Sequence, residues 1–259
     1  MANANTIVTR FAPSPTGHLH LGHAYSAILN YERGDRFILR IEDIDPIRCK
    51  AECEATIYGD LKWLGIEWEK PVRRQSERLD VYAAKLNELY ERGLIYRCFK
   101  TRKDIEEILH APHAANPVYV GAPLPRDEEQ HLIEQGLPFS WRLSMFEAER
   151  IIGMHPAARH GDVVLGRKET PTSYHLSCVI DDADQGITHV IRGQDLADIA
   201  DLHDLLFRLL GHIPPSIEHH KLITDDTGKR LAKRDQSITL QTLRGQGLTP
   251  DDIRARIGL

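Results

Sequence analysis

The chain has 259 residues, of which 41% are hydrophobic and 27% charged, and its formal net charge at pH 7 is −5. This length is sufficient for one or two domains with a substantial core. No apolar run approaches the roughly 20 residues that cross a bilayer, so the sequence excludes a membrane-spanning helix.

The amino terminus and the cysteines indicate the compartment. The first six residues, Met-Ala-Asn-Ala-Asn-Thr, lack the basic region and the apolar stretch of a secretory signal. The four cysteines are too few and too scattered for a disulfide framework: Cys49, Cys53, Cys98 and Cys178. We therefore expect a cytoplasmic protein with reduced thiols and no membrane attachment.

The first part of the chain alternates between strand and helix patterns. Short β-rich runs predict strands at 6–11 and 36–41, and apolar residues at helical spacing predict helices at 22–32, 51–64 and 77–92. These elements form a βαβ unit followed by helices that would cover a parallel sheet.

The pattern changes between 98 and 171, where prolines and glycines interrupt short elements and indicate an insertion. Beyond it, strands are predicted at 174–180 and 188–191, an amphipathic helix at 196–210 and a last helix at 250–256. The alternation predicts an α/β fold with a doubly wound, Rossmann-like parallel sheet, a nucleotide site at its switch point and an inserted smaller α/β subdomain.

We expect four segments along the chain. Residues 1–97 and 173–235 form the two halves of a nucleotide-binding catalytic domain, 98–172 the inserted subdomain, and 236–259 a short helical remnant.

Within the insertion, residues 100–103 form a local basic cluster, although the chain as a whole has a negative net charge. This cluster either meets phosphates or is a solvated charged face.

Residues 10–23 read Arg-Phe-Ala-Pro-Ser-Pro-Thr-Gly-His-Leu-His-Leu-Gly-His and combine a strand, a Pro/Gly-rich turn and the start of a helix. Backbone N–H groups and the positive end of the helix dipole meet there, which suits a triphosphate. His20 and His23 are three residues apart and share one face of the first turn, while Gly22 lets a nucleotide approach the backbone. These three residues are the predicted ATP site.

This motif resembles the HIGH signature of class I aminoacyl-tRNA synthetases, and its Phe-Ala-Pro-Ser-Pro-Thr-Gly prelude resembles the glutamyl and glutaminyl branch. Residues 228–234, Gly-Lys-Arg-Leu-Ala-Lys-Arg, resemble the KMSKS loop of the same class. Lys233 takes the place of the second lysine, whereas Arg230 replaces the first lysine and Ala232 the serine. We expect Lys233 to bind ATP and to stabilise the charge that develops as pyrophosphate leaves, which completes a catalytic set with the two histidines.

An amino-acid site is predicted beside the nucleotide. Glutamate presents two carboxylates and one ammonium group, so its site needs cationic anchors and an anion. The resemblance to the glutamyl branch implies that glutamate binds to Arg10, Ser14, Glu42, Tyr174 and Arg192. Glu42 would hold the ammonium group and the arginines the carboxylates, while a structural ion pair is the alternative for Glu42 and Arg192.

The insertion departs from its relatives at their zinc ligands. Short relatives often bind zinc through Cys-x-Cys and a downstream Tyr-x-x-x-Cys, whereas this chain has Cys98-Phe99-Lys100 and a Tyr119 followed by Pro123. One thiolate and one phenol cannot close a tetrahedral site. We predict no zinc and interpret His110 and His113 as surface residues.

The two signatures imply adenylate formation, in which the glutamate α-carboxylate attacks the α-phosphate of ATP while Mg²⁺ offsets phosphate charge. The sequence ends 25 residues after Arg234, without the anticodon-binding region of full glutamyl-tRNA synthetases. It therefore resembles the truncated paralogues of that family, the glutamyl-queuosine tRNA(Asp) synthetases.

This resemblance implies that the chain transfers glutamate to the queuosine base in the anticodon loop of tRNA(Asp). Its expected partners are L-glutamate, ATP and the tRNA(Asp) anticodon stem-loop, and its expected oligomeric state is a monomer. Two alternatives are a minimal glutamyl-tRNA synthetase that charges the tRNA 3′ end and a non-catalytic RNA-binding paralogue.

Overall fold

The computed structural model describes residues 6–110, 117–167, 170–223 and 238–259. The described strands are, in chain order, β1 (Val8–Phe11), β2 (Arg36–Ile41), β3 (Arg73–Arg74), β4 (Ile95–Cys98), β5 (Ser140–Leu143), β6 (Val164–Arg167), β7 (His189–Gly193) and β8 (Ser216–His220). The described α-helices are α1 (Leu21–Arg33), α2 (Ala51–Trp63), α3 (Leu79–Glu91), α4 (Arg102–Leu109), α5 (Arg126–Glu134), α6 (Met145–Ile152), α7 (Tyr174–Asp184), α8 (Ala200–Leu209), α9 (Leu240–Gly245) and α10 (Pro250–Ile257).

The chain divides into two compact units. Unit 1 comprises Met1–Glu77, Gln185–Asp198 and Pro215–Leu259, and unit 2 comprises Arg78–Asp184 and Ile199–Pro214. Within the described residues, no helix is long and apolar enough to span a membrane.

Unit 1 is built on parallel strands. β1 pairs with β2 from Val8↔Arg36 to Phe11↔Leu39, β2 continues to β3, and β7 pairs in parallel with β8. Thr188, just before β7, donates its N–H to the Val8 carbonyl at 3.1 Å, which sets the start of β7 beside the start of β1. The predicted α/β fold with a parallel sheet is confirmed.

Helix α1 crosses this sheet and is tied to it by one buried amide. Asn30 is fully buried; its backbone carbonyl accepts a hydrogen bond from Thr9 Oγ1 at 2.7 Å, and its side-chain Nδ2 donates to the Ile191 carbonyl at 2.9 Å. Buried polar groups are costly unless they are hydrogen-bonded. Asn30 therefore stabilises the positions of β1 and β7 relative to the helix whose first turn carries the two histidines.

The carboxyl-terminal helices belong to the core of unit 1. Leu240 and Leu243 of α9 and Ile253 and Ile257 of α10 are buried with the apolar face of α1 and with α2. Helix α10 has the expected local signals, since Pro250 lies in its first turn and Thr249 forms a capping box with Asp252. The predicted helix at 250–256 is confirmed, whereas α9 was not predicted.

Unit 2 contains an antiparallel sheet in which β5 lies between β4 and β6. Helix α7 is fixed in this unit through Asp181, which is fully buried. Its carboxylate accepts hydrogen bonds from Arg78 Nε at 2.9 Å and from Tyr82 Oη at 2.7 Å. These contacts join α7 to α3, which begins just after Arg78.

Most predicted elements are confirmed with shifts of one or two residues, but the strand predicted at 174–180 is wrong. Those residues lie in α7, where every side chain from Leu176 to Asp182 is buried. A short, mostly apolar segment fits a buried strand and a buried helix equally well, and in the folded protein this one packs as a helix. The helix predicted at 196–210 also begins later, at Ala200, after a 3₁₀ segment at Gln194–Ile199.

Asp60 of α2 is a buried carboxylate in unit 1. Neither of its carboxylate oxygens has a hydrogen-bond partner within the described residues, and Arg244 Nη1 lies 3.9 Å from Oδ1. Burial raises the pKa of Asp60 to about 6, while Arg244 and His18 act in the opposite direction. The folded state therefore retains this proton to a higher pH than the unfolded chain does.

The pH dependence of folding follows from that difference. Because the unfolded carboxyl group releases its proton near pH 4, stability falls as the pH rises from about 4 to about 6 and remains at the lower level above it. We expect the stability of Asp60→Asn relative to wild type to increase by about 3 kcal/mol across this window. Urea unfolding at a series of pH values measures it, with the exposed Asp251→Asn as control. A constant difference between wild type and Asp60→Asn would contradict the prediction.

Candidate active site

The two histidines of the sequence motif hold the start of α1. His20 is the N-cap residue, and its Nδ1 accepts a hydrogen bond from Gly22 N at 3.1 Å. In return, His20 N donates to His23 Nδ1 at 3.2 Å. The ring centroids are 3.9 Å apart. Since both Nδ1 atoms accept, each neutral ring carries its proton on Nε2, a donor suited to a phosphate oxygen at this positive end of the helix dipole.

Gly22 has a local role that is visible only in the structure. A Cβ atom at this position would lie 3.1 Å from His20 Cε1 and 3.2 Å from His20 Nδ1. A side chain would therefore push the His20 ring by a few tenths of an ångström. Glycine leaves the His20 ring in its observed position without this shift, and the predicted contact of Gly22 with a nucleotide stays a prediction.

The chain beyond the predicted lysine loop returns to the same place. Lys233 lies outside the described residues, as do Arg230 and Ala232. Thr239, six positions after Lys233, forms an antiparallel bridge with His20. Leu240 N donates to the Leu19 carbonyl at 2.8 Å, and both leucine side chains are fully buried. The described chain that follows the lysine motif is thus attached to the residue that begins α1.

Buried charges concentrate on β1, β2 and β7, towards or just beyond their carboxyl ends. Arg10, Arg40, Glu42 and Arg192 are 5, 0, 6 and 4% exposed. Among the other Asp, Glu, Lys and Arg residues described in unit 1, only Asp60 is buried. Buried charges are costly unless they are paired or bind an opposite charge. Three of these four buried residues carry a guanidinium group and one carries a carboxylate.

Glu42 is paired with Arg40, a residue that the sequence prediction did not include in the site. Arg40 Nη2 donates to Glu42 Oε1 at 3.0 Å, and Arg40 Nη1 donates to Gln185 Oε1 at 3.0 Å. Two positions apart on an extended chain, the two side chains share a face, so strand alternation could have revealed this pair. Glu42 N also donates to the Pro13 carbonyl at 3.1 Å, which fixes the end of β2 against the turn that contains Ser14.

Arg192 is positioned by its neighbour on β8. It lies opposite His219 in the parallel register, and its Nε donates to His219 Nε2 at 3.4 Å. Burial, followed by the charge of Arg192, lowers the pKa of His219. A neutral imidazole can accept this hydrogen bond, so His219 contributes to the position of the Arg192 guanidinium.

Tyr174 lies in unit 2, where it is the first residue of α7 instead of opening a strand. Its ring lies 5.7 Å from the ring of His175 and 5.6 Å from that of His203. Arg10, Ser14, Glu42 and Arg192, the four other predicted glutamate ligands, lie in unit 1.

The cysteine of the insertion has a hydrogen-bonded environment of its own. Cys98 Sγ lies 3.6 Å from Tyr119 Oη, and both residues are buried with Tyr96. Within the described residues, no group of three or more His, Cys, Asp or Glu side chains is arranged to hold a metal ion. His110 caps α4, and His113 lies outside the described residues. The absence of zinc stays a prediction.

Asp162 connects the segments around Cys98. Its Oδ2 accepts hydrogen bonds from Tyr96 Oη and Gly121 N, both at 2.8 Å, and its Oδ1 accepts one from Met145 N at 2.9 Å. Asp162 is 3% exposed, so its removal would leave buried donors without this acceptor.

We expect Asp162→Ala to lower the free energy of unfolding by about 3 to 5 kcal/mol, since up to three buried donors lose their acceptor. Urea unfolding measures this loss, with the exposed Asp127→Ala of the same unit as control.

EDTA should leave the melting temperature of the wild type unchanged, and elemental analysis should find no stoichiometric zinc. A wild-type protein that melts earlier in EDTA would show that a metal stabilises it.

The model of the family "tRNA synthetases class I (E and Q), catalytic domain" matches residues 6–259. The chain belongs to this family. The glutamate tRNA ligase of Elizabethkingia meningosepticum, solved in complex with its amino acid, is a structural neighbour with a TM-score of 0.72 and 29% identity over 89% of this chain and 52% of its own. The class I synthetase fold predicted from the sequence is confirmed.

Two kinds of curated relative match this chain. The Glutamyl-Q tRNA(Asp) synthetase of Rhodobacter capsulatus is 48% identical, with 98% of this chain and 100% of the relative covered. The Glutamate–tRNA ligase of Synechococcus sp. (strain JA-2-3B'a(2-13)) is 34% identical over 98% of this chain. The chain spans 57% of the length of that ligase.

Proposed function

We propose that this chain activates L-glutamate with ATP to form glutamyl-adenylate and pyrophosphate, and then transfers the glutamyl group to the queuosine base in the anticodon loop of tRNA(Asp). The observation that carries the proposal is the set of buried charges on β1, β2 and β7, in the unit that also contains the histidines at the start of α1.

The charges of Arg10, Glu42 and Arg192 are opposite to those of the glutamate groups that they would bind. Arg10 and Arg192 offer planar guanidinium groups for the two carboxylates, and Glu42 offers an anion for the ammonium group. Arg40 holds the Glu42 carboxylate in place at 3.0 Å, so this anion is positioned before the ligand arrives. Ser14 and Tyr174 complete the proposed glutamate site.

Adenylate formation requires alignment and charge stabilisation, without a protein nucleophile. An oxygen of the α-carboxylate attacks the α-phosphorus of ATP, and the bond to pyrophosphate breaks. The N-terminus of α1, with His20 and His23, would bind the phosphates, and Lys233 would follow the charge onto the departing pyrophosphate. Mg²⁺ bound to ATP would offset phosphate charge in this step.

Similarity supports the choice of acceptor. The protein of Rhodobacter capsulatus is named for tRNA(Asp), and its alignment with this chain covers 100% of its length. We propose that the enzyme acts as a cytoplasmic monomer and that residues 98–172 contact the RNA. Similarity to glutamate–tRNA ligases, at 34 to 38% identity, supports a second candidate function, in which the glutamyl group is transferred to the terminal ribose of tRNA.

Transfer of labelled glutamate tests the proposal. Three preparations of tRNA(Asp) are compared: one with queuosine, one without it, and one with queuosine from which the 3′-terminal adenosine has been removed. We expect equal labelling of both queuosine-containing preparations and none of the other. Labelling that requires the terminal adenosine would establish the second candidate. An enzyme that gives no glutamate-dependent ATP–pyrophosphate exchange would overturn both.

A further inference from the structure

A cavity of about 440 Å³ lies within unit 2, at one end of its antiparallel sheet. It is found where β4 ends at Cys98, where β5 begins at Ser140 opposite Cys98, and where β6 ends at Arg167. The side chains that matter for its chemistry are Phe99, Lys100, Arg102, Phe139, Arg142 and Arg167. We call it the β4–β5 cavity.

Two phenyl rings form an aromatic surface in the β4–β5 cavity. Phe99 and Phe139 are half-buried, and their ring centroids are 5.6 Å apart. Phe139 is supported from the protein side by Trp141, at 5.4 Å in an edge-to-face arrangement, and by the guanidinium of Arg97, at 5.5 Å. The rings are therefore held in place while part of their apolar surface remains accessible for stacking.

The charges around these rings are mostly positive. Four cationic side chains line the β4–β5 cavity against one carboxylate, that of Glu106, although the chain as a whole has a net charge of −5. Glu106 is paired with Arg102 at 3.0 Å. Within the part of the chain that the structure describes, neither Lys100 nor Arg167 has a carboxylate oxygen within 4.0 Å, although the charge of Lys100 contributes to lowering the pKa of Asp104. These two exposed cations can therefore bind an incoming anion.

Aromatic faces beside cations match a nucleotide, whose base stacks and whose phosphate is anionic. The volume suits one nucleotide and is far too small for a duplex, and single-stranded RNA is recognised by stacking of its splayed bases. We propose that the β4–β5 cavity binds one unpaired nucleotide of the RNA substrate, with its base against Phe99 and Phe139 and its phosphate at Lys100 and Arg167. This inference rests on the proposed function for the identity of the RNA.

Photocrosslinking locates the bound base directly. The tRNA(Asp) anticodon stem-loop is prepared with 5-iodouridine at each loop position in turn, irradiated with the wild-type protein and analysed by mass spectrometry of the linked peptides. We expect one loop position to crosslink to Phe99 or Phe139, and 1 mM AMP or UMP to leave the yield unchanged. Loss of the crosslink with free nucleotide would assign the cavity to a mononucleotide, and crosslinks confined to other segments would remove the RNA assignment. Either result overturns the proposal.

Binding measurements on variants give a second, quantitative test. Phe139→Leu should weaken binding of the stem-loop about 10-fold, because one stacking partner is lost. Lys100→Ala should lower the slope of log K against log salt concentration by about 0.7, the value for one phosphate contact on a single strand. Phe146→Leu and Arg150→Ala, which change exposed residues of α6 in the same unit, are the matched controls.

The outcomes separate this proposal from the proposed function. Thermal melting checks that each variant is folded. A folded Phe139→Leu protein that binds the stem-loop as tightly as Phe146→Leu would overturn the cavity assignment. Wild-type protein that crosslinks at Phe99 or Phe139 but fails in glutamate transfer would support the cavity and contradict the proposed reaction.

Discussion

Replacement of His20 by alanine is expected to slow glutamate-dependent ATP–pyrophosphate exchange about 100- to 1,000-fold, since one donor to the developing phosphate charge is lost. The same change removes the side-chain cap of α1, in which His20 Nδ1 accepts from Gly22 N at 3.1 Å. Loss of an N-cap costs about 1 kcal/mol of stability. Exchange kinetics and urea unfolding measure the two effects separately.

His20→Asn is the matched control for this prediction. Asparagine is among the preferred N-cap residues, so the variant should keep the wild-type stability while lacking the imidazole. If His20 contacts the phosphates, exchange by His20→Asn stays as slow as exchange by His20→Ala. Full activity of His20→Asn would show that His20 serves the helix alone.

Replacement of Glu42 by glutamine should reduce kcat/KM for glutamate in the same exchange reaction about 1,000-fold, because a buried charged anchor for the ammonium group is lost. The variant should also be about 3 to 5 kcal/mol less stable, since the fully buried Arg40 loses its counter-charge. Steady-state kinetics at several glutamate concentrations and urea unfolding are the measurements.

A double variant separates binding from ion pairing. Arg40→Met combined with Glu42→Gln removes both charges, so we expect its stability to recover most of what Glu42→Gln alone has lost. Its activity should stay low, because the ammonium group still lacks its partner. Recovery of exchange activity in the double variant would identify Glu42 as a structural counter-ion of Arg40.

Local signals in the sequence were sufficient for most of unit 1. The strand at 36–41 was predicted with its observed bounds, and α10 with its start at Pro250. These elements have strong local determinants: an apolar run at 37–39 in β2, and a capping box with proline in the first turn of α10. The start of α1 was predicted within one residue because the motif itself contains the N-cap.

Contacts between distant residues could not be predicted in this way. Residues 174–180 form a mostly apolar segment that would also suit a buried strand. The next residue, Asp181, is hydrogen-bonded to Arg78 and Tyr82, and these contacts accompany the packing of the segment as helix α7. The role of Asn30 between β1 and β7 depends on residues 161 positions apart in the chain. A single buried asparagine in a helix gives no pattern that would identify its partners.

The sequence by itself determined the family-specific motifs, the alternation of strands and helices, and the identities of the charged residues proposed to bind glutamate, because these depend on residue type and short-range spacing. Tertiary structure alone decided that Asn30 joins β1 to β7, that Asp162 connects Tyr96, Gly121 and Met145, and that Phe99 and Phe139 border one cavity. The physical reason is that pairing, close packing and cavities are set by where separate segments meet, and the free energy of burial, which a local pattern does not contain, selects that arrangement.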